Sequence, residues 1–248
     1  MRYGVLAPDL NQIDAIARAG YDCAELSASA VMNIGNAEFK SAKKRLTDSG
    51  LRFDAVYEPL PPDILICTEG FNTFTWREYL KDVCCRASEL GAAGLVFRNG
   101  ESRSVPYDGD LPRARELVMT FIRMLCDVAG EYGLTVFLEP LDKPLSNMYN
   151  TLDECASLIR ILKKANLTSM CGSRYFASAG PEDIIKNRGI IGYAHLDGPV
   201  PPQPGCKPFF EALREIGYDG VVSLAAAGYS DFESEIAGAL AFLRDNAL

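Results

Sequence analysis

The chain alternates two kinds of hydrophobic pattern from one end to the other. Short apolar runs occupy residues 3–6, 23–26, 52–57, 94–97, 135–138, 169–171, 192–196 and 220–224. Each is brief and largely apolar on both faces, the pattern of a parallel strand covered on either side. Between the runs, apolar residues recur at helical spacing. In 75–91, Tyr79, Leu80, Val83, Ala87 and Leu90 share one stripe, and Gly91 ends it. Residues 113–132 and 152–165 carry the same stripe, and Thr151 with Glu154 predicts a capping box opening the second of them.

Helices repeatedly hand over to the next strand through a glycine: Gly20, Gly50, Gly91, Gly133 and Gly217. Strands and helices in alternation predict parallel βαβ units. About eight units in 248 residues suit a closed (β/α)8 barrel built as a single domain over 1–248. The first turn lacks a Gly-x-Gly-x-x-Gly phosphate loop, which disfavours a dinucleotide-binding sheet. No organic cofactor is expected. The proline-rich passage 199–208 is expected as the loop after the seventh strand.

Composition narrows the function more than the fold. A net charge of -8 without any basic stripe disfavours a nucleic-acid partner. No apolar run has the length of a membrane span, and the start of the chain lacks a signal-peptide pattern. A cytoplasmic protein with a small-molecule ligand and no membrane partner is the expectation. The 8 cysteines are irregularly spaced, with no Cys-x-x-Cys pair, and read as reduced thiols rather than a disulfide or zinc framework.

In a barrel of this kind chemistry projects from the C-terminal strand ends. Those ends read Glu25, Glu58, Arg98, Glu139, Cys171, His195 and Ala225. Glu139 closes the apolar run Val136-Phe137-Leu138, where a carboxylate is costly to bury without a use or a partner. It is a candidate functional carboxylate. His195 is the sole histidine, and it precedes the polar turn Leu196-Asp197-Gly198. That position favours a functional role, and a single histidine excludes any multi-histidine metal site.

Several stretches together carry a family likeness. They are residues 19–26, the run 97–106 containing Arg98 and Arg103, Leu138-Glu139-Pro140-Leu141 with Asn150-Thr151, Ala194-His195-Leu196-Asp197, and 204–220. Each is weak alone, but they occur in order and about one cycle apart. The chain thereby resembles the xylose-isomerase-like barrel superfamily of sugar isomerases and epimerases, hydroxypyruvate isomerases and an endonuclease branch. The likeness covers nearly the whole length. The endonuclease branch implies many histidines and a basic face, which this chain lacks.

The resemblance implies a divalent metal, often manganese, held by Glu, Asp, His and Glu from strands five to eight. The two Glu residues would also move protons between adjacent sugar carbons. Residue by residue, the first Glu falls on Glu139, which the likeness thereby implies is the base, and the His on His195. The family's Asp-x-x-His falls on Cys171-Gly172-Ser173-Arg174, and its last Glu on Ala225. The remaining set of Glu139, His195 and Cys171 suits zinc better than manganese. Arg174, which cannot ligate a metal, is expected to pair with Glu139 in place of the ion and to meet an anionic group. Glu58, Arg103, Asp142, Asn150 and Asp197 are expected substrate contacts, and Asp197 and Glu233 are the candidates for restoring a lost carboxylate.

The implied function is a sugar or sugar-acid isomerase or epimerase with an altered metal and acid/base shell. The alternative is an inactive homologue that binds a small anionic or carbohydrate ligand. A homo-oligomer is compatible with either.

Overall fold

The apolar runs become strands that close on one another in chain order. In the computed structural model, which describes residues 1–68, 70–106, 109–198, 200, 202, 204–226 and 228–246, they are β1 (Arg2–Ala7), β2 (Cys23–Ser27), β3 (Arg52–Tyr57), β4 (Gly94–Phe97), β5 (Thr135–Leu138), β6 (Leu167–Gly172), β7 (Ile191–Asp197) and β8 (Val221–Ala225). Each pairs in parallel with the next, and β8 pairs with β1 to complete the barrel. The outer wall comprises α1 (Ile13–Ala19), α2 (Ala28–Met32), α3 (Asn36–Ser49), α4 (Thr73–Leu90), α5 (Leu111–Glu131), α6 (Leu152–Leu162), α7 (Ser173–Ala179), α8 (Pro181–Lys186), α9 (Lys207–Glu215) and α10 (Phe232–Asn246). No described helix is long and apolar enough to cross a membrane.

The differences from the sequence expectations are local. Helix α6 stops at Leu162 because Lys163 takes a left-handed backbone, φ 50°, and ends the hydrogen-bond ladder. At its start the Thr151 hydroxyl accepts from the Glu154 N–H at 3.1 Å, as expected. The Glu154 carboxylate overshoots and accepts from the Asn150 N–H at 2.6 Å, so the box is offset by a residue. Helices α2 and α7 follow their strands directly and were not anticipated, since 5 and 7 residues are too few to show a stripe. Of the proline-rich passage, residues 199, 201 and 203 lie outside the described residues. Its last part is already helical, because α9 begins at Lys207.

Two apolar layers hold the fold. The larger lies between the strands and the helices. The smaller fills the barrel itself, with Cys23, Ala55, Val96, Phe137, Met170, Tyr193 and Val221 at its floor. Phe137 is stacked on Tyr193 at 5.1 Å between ring centroids. Its ring occupies room left by two glycines. A Cβ at Gly94 would stand 2.3 Å from the Thr135 carbonyl oxygen and 2.6 Å from the Phe137 ring, and one at Gly192 would stand 3.1 Å from that ring. The carbonyl cannot move without breaking the β4–β5 ladder. Gly94→Ala is therefore expected to cost about 3 kcal/mol, or roughly 6–12 °C of melting temperature. A melting curve superimposable on wild type would contradict this account of the floor.

Candidate active site at the barrel mouth

Side chains on a strand return to the same face every second residue. Counting two residues on from the floor gives Glu25 after Cys23, Tyr57 after Ala55, Arg98 after Val96 and Glu139 after Phe137. It also gives Gly172 after Met170, His195 after Tyr193 and Ser223 after Val221. A polar ring thus stands directly on an apolar floor.

Glu25 and His195 form its buried side. Both are 0% exposed, and His195 Nε2 donates to the two Glu25 carboxylate oxygens at 3.1 and 3.0 Å. The Tyr193 hydroxyl stands 3.5 Å from the same carboxylate. Burial alone would lower the His195 pKa, but the adjacent Glu25 charge and hydrogen bond outweigh it and lift the value to about 9. The other ring nitrogen, Nδ1, has no partner among the described residues.

Glu139 forms the opposite side. Its Oε1 is 3.4 Å from Arg98 Nη1, while Oε2 is buried and has no partner among the described residues. Burial raises the Glu139 pKa to about 7, with Arg98 and His195 restraining the rise. Arg98 also reaches Glu58 and Asp197, each at 4.0 Å, and its guanidinium lies 5.8 Å from the Tyr57 ring centroid. A tight cleft, with only about 10 Å³ of room for solvent, opens here between Arg98, Glu139, Asp142, Arg174 and Asp197.

Comparison with known proteins now places this geometry. The family model described as xylose isomerase-like TIM barrel matches residues 13–246. The chain belongs to the xylose isomerase-like TIM barrel family. One relative, the D-psicose 3-epimerase of Agrobacterium fabrum (strain C58), is 23% identical over 224 residues, covering 85% of this chain and 76% of its own. The crystal structure of a D-psicose 3-epimerase in the presence of D-fructose superposes with a TM-score of 0.85 at 17% identity, over 100% of this chain and 99% of the other. That of the 3-keto-D-glucoside 4-epimerase of E. coli gives 0.83 at 20% identity, over 99% of both chains. At these identities the superpositions speak for the fold.

Within the family barrel, the expected ligand position on β6 moves by one residue. Met170 belongs to the floor, so Gly172 faces the mouth, and Cys171 points into the apolar layer under the helices. Facing that layer and not the mouth, Cys171 leaves the expected set of Glu139, His195 and Cys171, and burial there pushes its thiol pKa far up. Gly172 pairs in register with His195, and Ala225 with Asp197; neither Gly172 nor Ala225 carries a side-chain donor. The Asp197 carboxylate occupies the space beside Gly172, where a Cβ would stand 2.6 Å from its Oδ2. A carboxylate of β7 thus fills the room beside a β6 position that has no side chain. Glu233, the other position considered, pairs instead with Arg18 on the exposed surface. Among the described residues, no three His, Cys, Asp or Glu side chains are grouped to hold a metal ion.

The arginines are redistributed as well. The cation on Glu139 is Arg98, not Arg174. Arg174 is exposed at the rim of the cleft, and its backbone N–H donates to Asp197 Oδ2 at 3.2 Å. Arg103 lies fully buried beneath the loop, where Nη2 donates to the Glu139 carbonyl oxygen at 2.6 Å. Its place is behind the carboxylate rather than against a ligand. Asn150 is likewise occupied, donating to the Leu141 and Ser146 carbonyls at 2.6 and 2.7 Å and so shaping the loop that carries Asp142. Glu58, whose backbone has a left-handed φ of 51°, and Asp142 remain open to the mouth. The sequence reading missed two features: the Arg98 cluster and the Glu25–His195 pair. Period-two counting from the floor places their members at the mouth but does not pair them.

Proposed function

We propose that the mouth binds a polyhydroxylated sugar or sugar acid, and that Glu139 is the base of a proton transfer next to its carbonyl. The observation that carries this is the Glu139 carboxylate, which is buried, half-engaged by Arg98 and free at Oε2. A pKa near neutrality lets it take and return a proton at low cost. The relatives named as 3- and 4-epimerases support the same class of chemistry.

In this reading Glu139 removes the proton from the carbon beside the carbonyl, and the electron pair moves onto the carbonyl oxygen. The resulting enediolate is stabilised by N–H donors of Arg98. The hydroxyl proton on the first carbon passes to the oxygen of the former carbonyl, and protonated Glu139 returns its proton to that former carbonyl carbon, which interconverts ketose and aldose with a single base. Epimerisation requires a second acid on the opposite face of the sugar, and Ala225 offers none. The metal and acid/base shell is altered, with Gly172 and Ala225 at the two positions that lack donors. The residues present do not fit a divalent ion, because two donor positions are bare and Arg98 is already seated on Glu139.

A second reading, ligand binding without turnover, is favoured by the same Ala225 and by the Arg98 pairing that restrains the base. Incubating ketoses, aldoses and sugar acids with the protein in D2O separates the two. Deuterium entering beside the carbonyl supports the first reading. Calorimetric binding of a sugar without deuterium entry supports the second, and neither result across the panel defeats both.

A further inference from the structure

Arg98 sits where three strand ends deliver carboxylates. Glu58 comes from the end of β3, Glu139 from β5 and Asp197 from β7, at 4.0, 3.4 and 4.0 Å from guanidinium nitrogens. Carboxylates this close repel one another, and the arrangement needs a cation at its centre. Two of the family positions that would supply oxygen to an ion, 172 and 225, carry glycine and alanine. The Asp197 carboxylate has moved into the room beside Gly172 and faces the guanidinium instead. Glu139 Oε2 and His195 Nδ1 are both buried without partners among the described residues.

We propose that the Arg98 guanidinium is the resident cation of this site, holding Glu139, Asp197 and Glu58 together, excluding a divalent metal and itself meeting the oxygens of the ligand. The chemistry follows from the group. A guanidinium keeps its charge at any physiological pH and has five N–H donors in one plane. With its contacts to the carboxylates made, N–H groups remain for a carbonyl and its neighbouring hydroxyl. The cation is covalently part of the chain, so a chelator cannot remove it. This inference rests on the mouth being the ligand site, but its test uses manganese alone, so failure to find a sugar would leave its outcome unchanged.

The test is a manganese titration of chelator-treated protein, followed by calorimetry and by electron paramagnetic resonance. Five chains are compared: wild type, Arg98→Lys, Arg98→Met, Glu139→Gln and Arg98→Met with Glu139→Gln. Wild type and Arg98→Lys are expected to bind no stoichiometric manganese at millimolar concentration. Arg98→Met removes one charge from among the carboxylates and is expected to bind one ion at least about 100-fold more tightly than wild type. The added Glu139→Gln change is expected to abolish that gain. One tightly bound equivalent in wild type, lost in Glu139→Gln, would overturn the proposal. So would an Arg98→Met chain that binds manganese no better than wild type. Should Arg98→Met fail to fold by circular dichroism, wild type against Glu139→Gln decides alone: Glu139-dependent stoichiometric binding overturns the proposal, and its absence sustains it.

Discussion

Glu25→Leu is expected to destabilise the protein by about 3–5 kcal/mol, because it strands one partner of a fully buried ion pair. Glu25 and His195 are each 0% exposed, and His195 Nε2 contacts both carboxylate oxygens. Without that carboxylate the imidazole must give up its charge or remain charged in a dry interior. The penalty should depend on pH, and its sign follows from the His195 pKa. Burial lowers that value, yet Glu25 raises it to about 9, above the ordinary 6.5. The pair's contribution is therefore complete below about 6.5 and fades as pH rises through about 9. Denaturant titrations of wild type and variant should differ most on the acid side and converge in alkali. The double variant Glu25→Leu with His195→Phe should recover most of the loss, since well-packed apolar groups often replace a buried pair without penalty. A single variant within about 1 kcal/mol of wild type at every pH would refute the pair as drawn. A stable double variant would mean that the fold does not depend on the pair.

The barrel was legible because each buried strand is short, apolar and followed by a helix that ends in glycine. Gly94–Phe97 and Thr135–Leu138 have the bounds that their apolar runs suggest. Phase was the difficulty. A parallel strand is covered on both faces, so hydrophobicity does not say which residues point inward. The three-residue run 169–171 gave no phase at all, and the register shift between Ser169 and Met170 offered no sequence signal. Cys171 was therefore read one residue out of step with Gly172. Pairings across the barrel were hidden for another reason. Arg98 and Glu139 are 41 residues apart in sequence, Glu25 and His195 170 residues apart, and no local pattern records such contacts. The same holds for Arg103, which reads as a loop arginine but lies wholly inside, beneath the Glu139 carbonyl. What the sequence did convey was the chemical stock of the mouth, with Glu58, Glu139, Asp197 and His195 all at strand ends.

Glu139→Gln is expected to reduce deuterium entry into a bound sugar by about 10²–10⁴-fold, the usual contribution of a positioned base. The amide has the shape of the carboxylate and keeps an oxygen for Arg98, so ligand affinity should change far less than rate. That split separates a base from a residue that merely shapes the cleft. Wild type should also show a rate that rises with pH through about 7, because Glu139 must be ionised to accept the proton and burial holds its pKa near that value. Arg98 restrains the rise, so Arg98→Met should move the midpoint upward, whereas Arg98→Lys should leave it closer to wild type. A flat profile, or full exchange in Glu139→Gln, would transfer the role of base to another carboxylate of the cluster. Asp197 is then the next candidate, since it stands beside Gly172 and faces the same guanidinium. The direction of the Arg98 shift matters most, because only a base in electrostatic contact with Arg98 can move its midpoint when that charge is removed.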